Sequence, residues 1–137
     1  MSHMAERRFT VDEVNELIPR LEMLMERLQR TVRAVRSAVD EAESEPAVRT
    51  TVDVLRVRPE LAPYVAEIES TVSEIERLGG HFKGVDLGLV DFLGEVKGRP
   101  VLLCWQYGEK SLGFWHAIDE GFAGRQPLPA AASTPLQ

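Results

Sequence analysis

From Val14 to Val39 the chain repeats apolar residues at alternating steps of four and three: Val14, Ile18, Leu21, Met25, Leu28, Val32, Val35 and Val39. No other feature restricts the fold as much. Such an alternation marks one side of a long helix that packs lengthwise on a partner, as in a coiled coil. Leu17 and Leu24 widen the stripe, so something more than one partner helix is expected to cover its early part. The helix opens at Thr10-Val11-Asp12-Glu13, a capping box in which the Thr10 hydroxyl and Glu13 carboxylate each satisfy the other's backbone amide. Phe9 stands where it can staple onto Val14, and Pro19 falls inside the pattern, where a kink is expected. The same spacing returns at Leu61, Val65, Ile68, Val72 and Ile75, after Pro59-Glu60 and before the helix-ending Gly79-Gly80. Two helices with matching seams read as a long antiparallel helical hairpin.

The chain changes grammar at residue 79. Every glycine lies at or after that position, as does every aromatic residue except Phe9 and Tyr64. The runs 85–92 and 100–107 are strand-like, with a turn expected over 94–99. In the second run Val101, Leu103, Trp105 and Tyr107 share one face, and Leu102, Cys104 and Gln106 the other. After the turn at 108–111, a short helix is expected from about Leu112 to Glu120. The fold class is therefore α+β: a coiled-coil-like antiparallel helical hairpin with a small antiparallel β-hairpin and a short C-terminal helix. The expected organisation is a tag remnant and disordered start (1–8), then one domain over 9–128, then a flexible tail (129–137). Within the domain lie helix 1 (9–45), a connector (46–59), helix 2 (60–79), and the β-hairpin with its helix (80–125).

Charge and cysteine content exclude several classes. The net charge is −6, from 22 acidic against 16 basic side chains, which argues against a protein that coats nucleic acid. One cysteine, Cys104, permits no internal disulfide and suits a reducing compartment. No signal-peptide core is present, and no run reaches the roughly 18 apolar residues of a spanning helix. The expected setting is cytoplasmic, with no membrane contact.

Particular residues in the second half carry a resemblance. The stretch Lys83-Gly84-Val85-Asp86-Leu87-Gly88-Leu89-Val90-Asp91-Phe92 resembles the bacterial domain-of-unknown-function family 2203, as do Cys104-Trp105, Gly108-Glu109, Phe114-Trp115-His116, Asp119 and Gly121-Phe122-Ala123-Gly124-Arg125. Phe9-Thr10 and Asn15-Glu16-Leu17-Ile18-Pro19 are similar to that family's beginning, so the resemblance spans roughly residues 9–128. Leu93 stands where family members often have proline. The resemblance implies no activity, cofactor or catalytic residue.

On the expected C-terminal helix, His116 and Glu120 stand at i,i+4 and Asp119 at i+3. An imidazole and a carboxylate on one face make half of a site for zinc, iron or manganese. His81, Asp86 and Asp91 are the donors available to complete it, with His81 or Asp86 as the expected ligands. A plainer reading has His116 hydrogen-bonded to a carboxylate inside a packed unit. Cys104 beside His116 reads as a nucleophile–base pair or as a small buried hydrophobe, and its apolar run favours the second. Trp105, Trp115, Cys104 and Arg125 are candidates to line a ligand pocket. Arg27, Arg30, Arg33 and Arg36 form a ridge read as a solvated helix face. The leading expectation is a homo-oligomeric interaction or scaffold module, dimeric through helix packing because Leu24 and Met25 exceed what the second helix can cover. The alternative is a metal-binding protein or metal-dependent enzyme; whether the chain is an enzyme stays open.

Overall fold

The computed structural model describes residues 6–42, 46 and 49–129. The start at 1–5, the connector positions 43–45 and 47–48, and the tail 130–137, on which expectations were stated above, lie outside the described residues. Helix α1 spans Val11–Ala42, α2 Thr51–Val57 and α3 Ala62–Arg77, with a 3-10 turn Pro59–Leu61 before α3. Five strands follow: β1 His81–Gly84, β2 Leu89–Val96, β3 Arg99–Gln106, β4 Phe114–His116 and β5 Gln126–Pro127. They form one antiparallel sheet in sequence order, so the architecture is α+β.

The capping box forms as read, with Thr10 N–H donating to Glu13 Oε1 at 2.9 Å and Glu13 N–H to Thr10 Oγ1 at 3.1 Å. Phe9 lies edge-on to Phe92, ring centroids 5.1 Å apart, and its N–H donates to the Leu93 carbonyl at 2.7 Å. These contacts tie the start of α1 to β2. Beyond it, α1 runs unbroken through the exposed Pro19. Val14, Ile18, Leu21, Met25 and Leu28 are buried in one core with Ile75 of α3 and with Val90, Phe92, Leu103 and Trp105 of the sheet. Thus the early seam is covered by a helix and a sheet together, which is why the stripe is wide enough to include Leu24. Leu24 and Met25 are 3% and 0% exposed within a single chain, so the surplus that motivated a dimer is already covered.

Helix α3 retraces α1. Glu74 receives Arg20 at 3.1 Å and Arg27 at 2.9 Å, while Thr31 donates to Glu67 and Leu61 packs with Ala38 and Ala42. The arginine ridge is therefore partly spent on ion pairs, with Arg36 reaching Asp86 at 2.6 Å. Inside the connector, Thr50 and Asp53 form a second capping box that opens α2.

The β unit is larger than the expected hairpin. Residues 85–88 are a turn, and the strand begins at Leu89, while 81–84 supply an additional edge strand. The β2–β3 turn tightens to Lys97-Gly98, with φ of 52° and 78°, the paired positive values of a two-residue hairpin turn. The C-terminal helix expected over 112–120 does not form. Instead Phe114, Trp115 and His116 pair with Cys104, Leu103 and Leu102. β3 would otherwise leave its second edge unpaired, and satisfying those backbone groups outweighs the weak local preference for a helix. Among the described residues, no helix is long and apolar enough to cross a membrane.

Candidate functional site

Strand alternation sends Val90, Phe92, Leu103, Trp105 and Trp115 toward the helices and their neighbours to the outer face. Asp91 of β2 lies opposite Cys104 of β3, and His116 of β4 lies opposite Leu102, two residues along on the same face. Three strands therefore present one donor each to a single point. Asp91, Cys104 and His116 are 2%, 1% and 1% exposed, and their donor atoms all lie within 4.8 Å of one another.

The proton inventory of this trio is informative. His116 Nδ1 lies 2.9 Å from the Ala117 carbonyl, which can only accept, so Nδ1 carries a hydrogen. His116 Nε2 then faces Asp91 Oδ2 at 2.9 Å. A bare ring nitrogen and a bare carboxylate oxygen repel at that distance, so a cation must stand between them, whether a proton or a metal. The other carboxylate oxygen, Oδ1 of Asp91, is buried with no hydrogen-bond partner. Burial pushes the Cys104 thiol up to about 12, and the charge of Asp91 adds to the effect. The group is accordingly a neutral thiol and a poor nucleophile. Both ring nitrogens of His116 are engaged elsewhere, so the imidazole is not free to act as its base.

A second cluster stands beside the trio. Arg125 Nη2 donates to the two Glu109 carboxylate oxygens at 2.9 and 2.7 Å and to the Cys104 carbonyl at 3.1 Å. Its guanidinium lies 4.1 Å from the Phe114 ring centre and 5.2 Å from that of Phe122. Glu109 is held in turn by the Gln106 N–H at 2.8 Å, and its carbonyl accepts from Trp105 Nε1 at 3.0 Å. Arg125 thereby pins the segment after β4 onto the outer face of β3.

Of the metal donors named from the sequence, His116 and Asp91 lie in this cluster, and the others do not. His81 pairs with Glu6 on the surface and Asp86 with Arg36, while Asp119 is exposed. Glu120 accepts from the Ala117 N–H at 3.2 Å. Without the helix, the i,i+4 spacing no longer aligns His116 with Glu120. The four expected pocket residues are likewise divided: Trp105 and Trp115 face the helices, while Cys104 and Arg125 belong to the outer side. The sheet itself separates them.

Asp91 and Lys83 carry more weight than sequence reasoning assigned them. The available signal was Leu89-Val90-Asp91-Phe92-Leu93, a lone carboxylate inside an apolar run. A strand that apolar is buried on both faces, and its single charge needs a partner. Residues 7–128 match the model of a family described as an uncharacterized conserved protein, DUF2203. No curated protein and no solved structure matches the chain.

Proposed function

The chain belongs to DUF2203, a family of uncharacterized conserved proteins, and from the geometry of its sheet we propose that it binds a divalent metal ion through Asp91, Cys104 and His116. The observation that carries this reading is the convergence of three buried donors within 4.8 Å, with one Asp91 oxygen left unpartnered. Metal-ligating histidines usually donate their other ring N–H to a carbonyl or carboxylate, which orients the free nitrogen. His116 does so to Ala117. A nitrogen, a carboxylate oxygen and a sulfur suit zinc better than manganese, because thiolate is a soft ligand. Three protein ligands leave a fourth position for water or a small ligand, the arrangement of zinc sites that do chemistry rather than staple a fold. A cytoplasmic, reducing setting agrees with a ligand set that needs Cys104 kept reduced.

The test is elemental analysis of the chain freed of residues 1–3, since His3 is itself a metal ligand, after growth in zinc-replete medium. Near one zinc per chain is expected, lost in both Cys104→Ala and His116→Ala variants that keep their circular dichroism. Absence of stoichiometric metal from the folded wild-type protein refutes the reading.

A second reading, a homo-oligomeric interaction module, draws support from the helical end. There, Leu61 packs with Ala38 and Ala42, and Val52, Val57 and Tyr64 are exposed. A dimer by light scattering that Val52→Asp dissociates supports it; a monomer at all concentrations removes it.

A further inference from the structure

We infer that Lys83 is a built-in counterion of the Asp91–Cys104–His116 site, competing with the metal for Asp91 and so setting how readily the site loads. The inference rests on the metal reading above. Two independent features place Lys83 there. β1 pairs in register at His81↔Asp91 and Phe82↔Val90, then slips, so that Gly84 faces Leu89 and Lys83 is the extra residue of a bulge. His81 lies directly opposite Asp91, so alternation puts Lys83 on the same face, and its ammonium stands 3.6 Å from Asp91 Oδ2. That is the same oxygen that His116 Nε2 contacts.

The two partners differ sharply in exposure. The Asp91 side chain is 3% exposed and that of Lys83 is 45% exposed. The ammonium thus reaches the buried carboxylate from the solvent side on a flexible stem. While it stays, it neutralises Asp91 and occupies the approach to it. Once a divalent ion is bound, the same charge stands roughly 5 Å away and repels it. Even with water-like screening, a unit charge at that distance from a divalent ion shifts affinity by about tenfold.

The experiment is a zinc titration of metal-free full chain against a competing chelator, for wild type, Lys83→Met and Lys83→Arg. Cobalt(II) loaded in parallel reports, through its thiolate charge-transfer absorption, whether the ion sits on Cys104. The expected result is zinc affinity about tenfold tighter in Lys83→Met, with Lys83→Arg no tighter than wild type. If wild type binds cobalt on Cys104 and Lys83→Met binds zinc no tighter, the counterion role is overturned and the metal site stands. If neither protein shows the band, both fall.

Discussion

Replacing Asp91 separates the hydrogen-bonding demand of the outer sheet face from its charge. Asp91→Ala removes the partner of His116 Nε2, a contact of 2.9 Å between side chains that are 2% and 3% exposed. Breaking such a buried pair from one side costs about 3–5 kcal/mol, because the surviving polar group has no water to turn to. Against a total stability of about 5–15 kcal/mol for a domain, that is a large share. Asp91→Asn is a different perturbation. With Nδ1–H committed to Ala117, Nε2 of the neutral ring is an acceptor, and the Asn amide supplies a donor of nearly the same shape. Its cost should be about 1 kcal/mol, the net worth of one hydrogen bond. Urea unfolding in the presence of a chelator, followed by the fluorescence of Trp105 and Trp115, measures both. In the double variant Asp91→Ala/His116→Ala the losses should be less than additive, since the two residues act as one unit. An Asp91→Asn cost equal to that of Asp91→Ala would refute the proton inventory, and so would an Asp91→Ala cost below about 1 kcal/mol.

Two further outcomes follow from the same contacts. Cys104, pushed up to about 12 by burial and by Asp91, should resist iodoacetamide in the native protein at pH 8 and react only on unfolding; native labelling at the unfolded rate would contradict its placement. Glu74 is held below its ordinary 4.5 chiefly by the Arg20 hydrogen bond, with Arg27 also contributing. A carboxyl lowered in the folded state stabilises it fully above that ordinary value and progressively less as pH falls through the lowered one. Glu74→Gln should therefore lower the urea midpoint at pH 7 and flatten its decline below about pH 4.5; an unchanged acid limb would show that the α1–α3 ion pairs contribute nothing.

The helical half of the fold was legible because its determinants are local. The capping box at Thr10 and Glu13, the seam from Val14 to Leu28 and the glycine stop at Gly79 are spaced as a helix requires, and each holds its expected place. The widening by Leu17 and Leu24 even announced a covering layer besides α3. Legibility failed where pairing across strands decided the outcome. Phe114-Trp115-His116 bears no strong strand signal of its own, and it is a strand because β3 has an edge to fill. With that one change the expected His116–Glu120 pair dissolved. The expected quartet of Trp105, Trp115, Cys104 and Arg125 was split by the sheet in the same way, since alternate residues face opposite sides.

The sequence by itself determined the long helix, its cap, the separation of a charged helical half from an aromatic sheet half, and the family. Periodicity and capping act over a few residues, so they can be read from spacing alone. Only the tertiary structure decided that Asp91, Cys104 and His116 meet, because they sit on three strands whose register is a long-range property. It alone decided too that Lys83 joins them, since the register of β1 on β2 puts an edge side chain on the face of the buried carboxylate. The heptad pattern constrains a helix along its length, whereas a site built across strands exists only once hydrogen-bonded neighbours have chosen their partners.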